Sequence, residues 1–300
     1  MTHRALHAGA PVLRVRDLRL TREDQFGADL EGITLEVRAG EVLGIAGVSG
    51  NGQKELLYAL SGEDVRARPG AIFIGDADVS RLHPGERRKL GLHFVPEERL
   101  GRGAVPTLDL AHNLLLTRHE AISHPDVAGG WIRLSPLEAQ ADRIIRRFNV
   151  KTGGSRSVAR SLSGGNLQKF IVGREIDAAP RLFIVSQPTW GVDVGAAAQI
   201  RAEILALRDA GCAVLVVSEE LDELFELSDR LHVIARGRLS PSVPIGEATV
   251  EKIGEWMSGL WDLAGQTAVT RSEQALSPTD NGMLDVHLAG QTAVTRAQHA

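Results

Sequence analysis

The chain has 300 residues, 43% of them hydrophobic and 24% charged, and a net charge of −4 at neutral pH. That is an ordinary soluble composition, long enough for one large domain or two small ones, and it excludes the basic face of a nucleic-acid binder, so no nucleic-acid partner is expected. A single cysteine, Cys212, excludes an intrachain disulfide framework, and no run approaches 18 apolar residues, so a cytoplasmic protein without its own membrane span is expected.

Residues 1–10 are small and polar and are expected to be disordered. From Val12 the pattern turns to short apolar strands: VLRVRDLRL, ITLEV, then VLGIA at Val42–Ala46, followed by a glycine-rich turn and the helix-like KELLYAL. AIFI at Ala71–Ile74 and LHFV at Leu92–Val95 read as further strands. A helix-rich insert occupies 105–160, where Ser135 is placed to cap a helix and Pro136 to sit at its first position. Helix 166–177, strand 181–186, helix 195–209, strand 213–217, helix 219–227 and strand 230–235 complete the pattern. Strands alternating with helices, several as continuous β-branched runs, indicate an α/β fold with a buried, largely parallel sheet. The expected division is a core of 11–104 and 161–248, the helical subdomain 105–160, and a terminal helix over 249–262. That helix would carry Ile253, Trp256, Met257 and Leu260 on one face. In the tail 263–300, LAGQTAVTR occurs at 263–271 and again at 288–296, too few copies for a solenoid and expected to be unstructured.

Gly47-Val48-Ser49-Gly50-Asn51-Gly52-Gln53-Lys54 lies between a strand and a helix. Backbone amides and a helix N-terminus in that setting suit phosphate. The full pattern GxxxxGK[ST] requires lysine at 53 and a hydroxyl at 54, where this chain has Gln53 and Lys54. Losing a lysine about 3 Å from phosphate removes ~5 kcal/mol of gross attraction at an effective dielectric of about 20. Lys54 does not replace it, because successive helix positions point about 100° apart. Taken alone the loop reads equally well as a structural turn.

Downstream, RLFIVSQPTWGVD resembles the second nucleotide motif of ATP-binding cassette (ABC) proteins. In that resemblance Ser186 and Gln187 hold the positions of the acid that organises Mg²⁺ and the acid that polarises water. Neither is a carboxylate base at any pH, although Gln187 could still orient water by hydrogen bonding. Asp193 is retained and could reach across a dimer interface. Trp190 stands where related sequences carry arginine. Glu97 and Glu219 occupy two switch positions that usually hold glutamine and histidine, and an acid beside a triphosphate is repulsive. Ser163, Gly164, Gly165 and Asn166, within SLSGGNLQK, are similar to the ABC signature loop, whose hydroxyl, amides and positive helix end suit a γ-phosphate brought from outside.

The order GVSGNGQKEL, FVPEERLGRG, LSGGNLQK, QPTWGVDVGA and SEELDEL over residues 12–240 resembles the second nucleotide-binding half of double-length ATPases of bacterial simple-sugar and nucleoside importers. The resemblance implies an ABC-type P-loop fold: a mainly parallel core sheet, an antiparallel β subdomain and an inserted helical subdomain. It also implies ATP as ligand, with Mg²⁺ weak or absent at the chain's own degenerate site. The implied partners are an intact nucleotide-binding half, membrane permease subunits and, indirectly, a substrate-binding protein, at the inner face of the cell membrane. Through Ser163–Asn166 the chain would complete the partner's ATP site. The competing reading is a catalytically inactive, nucleotide-binding regulatory module. DNA-repair and translation relatives are disfavoured, since their coiled coils, zinc cysteines and charged linkers are missing from these 300 residues.

Overall fold

The computed structural model of the chain describes residues 9–122 and 134–261. Residues 1–8 of the expected disordered N-terminus and the duplicated tail at 263–300 lie outside the described residues. In chain order the first part forms β1 (Pro11–Leu20), β2 (Leu30–Arg38), β3 (Val42–Ala46), α1 (Gln53–Ser61), β4 (Ile72–Ile74), β5 (Ala77–Asp78), α2 (Pro84–Lys89) and β6 (Leu92–Val95). Two helices follow, α3 (Leu110–Ile122) and α4 (Leu134–Arg147). Then come α5 (Gly164–Ile176), β7 (Leu182–Ser186), α6 (Val194–Asp209), β8 (Ala213–Ser218) and α7 (Leu221–Leu227). The last elements are β9 (Arg230–Ala235), β10 (Arg238–Leu239), β11 (Val243–Pro244) and α8 (Val250–Met257).

β2-β1-β4-β5 is an antiparallel sheet. The second sheet runs β10-β9-β3-β8-β7-β6, with parallel pairing from β9 through β6 and the short β10 and β11 antiparallel to β9. β3, β7 and β8 are buried along their whole length, as expected of strands covered on both faces. Period-two alternation divides their side chains between two cores. Val42, Phe183, Val185, Val214 and Val216 enter a core shared with α3, α4 and α5. Leu43, Ile45, Leu182, Ile184 and Leu215 enter a second core with the antiparallel sheet and Leu56 and Leu60 of α1. The two faces together fix the register, because a one-residue slip would exchange their side chains between the cores.

Three expectations change in detail. Ser135 does not cap α4; it lies inside it, after Leu134, with Pro136 third. Amides of a first helical turn have no intrahelical partner, so proline is accommodated there without starting the helix. Helix α5 begins at Gly164, two residues earlier than expected, because Ser163 caps it. Leu260 lies beyond α8 and is exposed, since the chain turns at Gly259 with φ +83; Ile253 is fully buried, and Trp256 and Met257 pack against the core. Among the described residues no helix is long and apolar enough to cross a membrane.

Candidate functional site

The parallel strands β3, β8, β7 and β6 deliver their C-terminal ends to one edge, the usual binding edge of an open α/β sheet. Gly47 leaves β3, Ser186 and Gln187 leave β7, Ser218 and Glu219 leave β8, and Glu97 follows β6; all of them border one cavity of about 240 Å³ with Ser49, Gly50, Gln53 and Lys54. Gly47 must be glycine, as a Cβ there would lie 2.6 Å from the Ile234 carbonyl and 2.7 Å from Gln53 Nε2. Gly52 stands at φ +109 as the N-cap of α1 and gives no side-chain cap. The first amides of α1 are therefore left for an anion. Asn51 ties the loop to the turn after β9: its Oδ1 accepts from Arg236 N at 2.8 Å, and its carbonyl accepts from Gly237 N at 2.9 Å.

The side chain of Gln53 turns back into this loop. Its Nε2 donates to the Val48 carbonyl at 2.8 Å, and its Oε1 accepts from Asn51 N at 3.0 Å. One amide of the phosphate cradle is thus satisfied internally by a neutral group. Lys54 borders the cavity, but its Nζ stands over the Tyr58 ring, 5.5 Å from the centroid. Asp24, Glu55, Glu97, Glu98 and Glu219 also line the cavity, against only Lys54 and Arg102. Arg102 is held by Glu63 at 2.6 Å and over Tyr58 at 4.3 Å. Burial, then the charges of Glu219 and Glu98, raise the pKa of Glu97 against the opposing pull of Arg102.

Gln187 is buried and holds a left-handed backbone, φ +48, uncommon away from glycine. Its Oε1 accepts from Ser218 Oγ at 3.2 Å and from Glu219 N at 3.4 Å, so its carbonyl oxygen is committed to the end of β8. Nearby, Glu223 is buried and accepts from Thr189 Oγ1 at 2.5 Å; burial raises its pKa, and the hydroxyl bonds oppose the shift. Mg²⁺ requires near-octahedral oxygen ligation, generally with a carboxylate. The positions that the family resemblance assigns to the ion hold Lys54, Ser186 and Gln187, none of them a carboxylate.

The signature segment lies elsewhere on the surface. Ser163 and Gly164 are exposed at the start of α5. Ser163 Oγ accepts from Asn166 Nδ2 at 2.9 Å and from Asn166 N at 3.4 Å, while Asn166 Oδ1 accepts from Lys151 N at 2.8 Å. With both lone pairs engaged, the hydroxyl proton remains to be donated outward. Gly165 abuts Gly191 and Val192. Asp193 Oδ1 accepts from Ala196 N at 2.9 Å and caps α6; that bond lowers its pKa. Beside it Trp190 is 56% exposed and Val194 85% exposed. Nothing in the structure explains tryptophan at position 190.

Two further residues come into view only in three dimensions. Phe26, in the polar β1–β2 loop, borders the cavity and is 80% exposed, a platform on which a base could stack. Arg99 turns from the cavity toward α5. The one sequence signal for Phe26 is a lone aromatic in a polar loop; Arg99 has none.

Residues 30–190 match the family model described as ABC transporter. The chain belongs to the ABC transporter family. It is 38% identical over 248 residues to the nucleoside import ATP-binding protein NupA of Lactococcus lactis, covering 83% of this chain and 48% of the relative. It is 38% identical over 257 residues to the guanosine import ATP-binding protein NupO of Bacillus subtilis, covering 85% and 49%. A ribose import ATP-binding protein of Rubrobacter xylanophilus is 36% identical over 224 residues, 75% of this chain and 44% of that one. The chain therefore spans about half the length of the curated relatives it matches. A solved ATP-binding subunit of an ABC transporter superposes with a TM-score of 0.66 at 19% identity, over 82% of this chain and 99% of that one. With that match the ABC-type α/β fold expected from the sequence is established.

Proposed function

We propose that the chain acts as an ATP-binding subunit, or half-subunit, of an ABC importer for nucleosides or simple sugars, and that its signature loop completes the ATP site of an intact partner half. The observation that carries this reading is Gln53 folded into its own phosphate loop, where it occupies the Asn51 amide beside an acid-rich cavity. A site built this way attracts a triphosphate poorly, and Gln187 at the catalytic-acid position cannot act as a carboxylate base. The signature loop, by contrast, is intact, exposed and has a hydroxyl free to donate. Exposed Trp190 and Val194 flank it, as a surface covered by a partner would require.

Names of the relatives support import of nucleosides or sugars, and their double length supports the need for a second half. On this reading the chain sits at the inner face of the membrane, and the permease's cytoplasmic helix enters the cavity of about 290 Å³ between Pro96, Ala104 and the exposed Leu116 of α3. A substrate-binding protein would act through that permease. A regulatory module without turnover is the second reading, favoured by the acid-lined cavity. Mixing the chain with an intact first-half cassette and measuring ATP hydrolysis separates them. Stimulation by the wild-type chain, abolished by Ser163→Arg, is expected; hydrolysis unchanged by adding the chain rules out the proposal.

A further inference from the structure

Arg99 follows Glu97 and Glu98, which line the cavity, yet its own side chain lies against the signature helix. Its Nε donates to Gln168 Oε1 on α5 at 3.1 Å, and its Nη2 donates to the Trp190 carbonyl. Gln168 donates in turn to the Pro188 carbonyl at 3.0 Å. Two of the three guanidinium nitrogens are therefore fixed, which sets the position of the third. Nη1 lies where a side chain at Gly164 would be: a Cβ there would sit 2.7 Å from it. Glycine at 164 thus admits a cation beside the first residue of the signature helix.

The charge balance there differs from that of several arginines in this chain, although among the described residues the fully buried Arg87 also donates only to main-chain carbonyls. Arg14, Arg66, Arg88, Arg102, Arg118 and Arg147 each have a carboxylate partner. Arg99 makes no ion pair among the described residues; burial lowers its pKa, and no nearby acid opposes the shift. A partly buried cation without a counter-charge is costly, and the positive end of α5 adds to it instead of cancelling it. An anion arriving at Ser163 would relieve both.

We infer that Arg99 contacts the phosphate of the composite site, its Nη1 joining Ser163 in meeting the γ-phosphate of ATP held by the partner half. The inference rests on the trans-completion reading above. The alternative is a tether that only holds α5 to the 188–191 turn. Charge and tether separate in two variants: Arg99→Lys keeps the cation and loses the two-bond fork, while Arg99→Gln loses the cation.

The experiment mixes each variant with the intact half, checks co-elution, and measures steady-state hydrolysis together with ATP and ADP affinity of the assembly. Arg99→Gln should lower kcat by about a hundredfold, at the lower end of the range for lost transition-state donors. It should weaken ATP binding while leaving ADP binding within about twofold, because ADP lacks the contacted group. Arg99→Lys should retain clearly more activity than Arg99→Gln. Equal losses in both variants, parallel losses of ATP and ADP affinity, or wild-type activity in Arg99→Gln would overturn the inference and leave trans completion standing. A wild-type chain that fails to stimulate the partner overturns trans completion and the inference with it.

Discussion

Gln53 acts on its site through geometry as well as missing charge. Its amide is the right length to bridge Val48 and Asn51, so the loop closes on itself without an anion. Truncating a phosphate-binding group normally weakens binding; truncating an internal occupant frees a donor. Gln53→Ala should therefore bind ATP at least as tightly as the wild type and up to about tenfold more tightly, as titration calorimetry would read, since a hydrogen bond to a charged group contributes about 1.5 kcal/mol or more. A tenfold loss would mean that Gln53 itself holds phosphate. The sequence already exposed the missing lysine by spacing alone, but not the direction of the replacing amide, which depends on how the loop closes in three dimensions. Arg99 was hidden for the same reason: its partners lie 69 and 91 residues away and leave no local periodicity. Phe26 stood alone in a polar loop, without the neighbours that make a pattern. The positions of Ser186, Gln187, Glu97 and Glu219 were legible because strand ends are fixed by apolar runs.

At the scale of elements, α5 joins the signature loop at one end to a buried charge network at the other. Glu175 is fully buried and receives Arg174 Nε at 2.8 Å, Arg88 Nη1 at 2.7 Å and the His93 ring at 2.8 Å. Arg88 and Arg174 also line the groove beside α3, so the network spans from that groove to the helix bearing Ser163. Burial works to raise the Glu175 pKa, and Arg174, His93 and Arg88 overcome it, holding the carboxyl well below its ordinary value. A depressed acid contributes stability above its unfolded pKa and loses it as pH falls through the folded one. The wild type should thus lose stability as pH drops below the ordinary value of 4.5, and Glu175→Gln should show a shallower acid dependence. At neutral pH Glu175→Gln leaves the buried Arg174 and the half-buried Arg88 uncompensated and should cost about 3 kcal/mol in denaturant unfolding. A variant as stable as the wild type at neutral pH, or as acid-sensitive, would refute this account of α5. Helix existence and order were readable from apolar spacing; Ser135 was misplaced because proline tolerates the whole first turn, and α5 started early because Ser163 is itself the cap.

Across the whole molecule, one edge of the parallel sheet presents a cavity poor in positive charge, while the start of α5 presents an intact donor surface without an anion of its own. The chain spans about half of its curated relatives, and these two surfaces are what one half of a reciprocal pair would carry. The account assigns hydrolysis to the partner's bound ATP and predicts background turnover by this chain alone. Its most direct test is to assemble the chain with an intact half and hydrolyse photoreactive ATP in the presence of vanadate. Irradiation then marks the polypeptide that holds the trapped nucleotide. Label on the partner half, dependent on Ser163 of this chain, is the predicted result; trapped label on this chain, retained when the partner's signature loop is intact and Ser163 is replaced by Arg, would contradict the account.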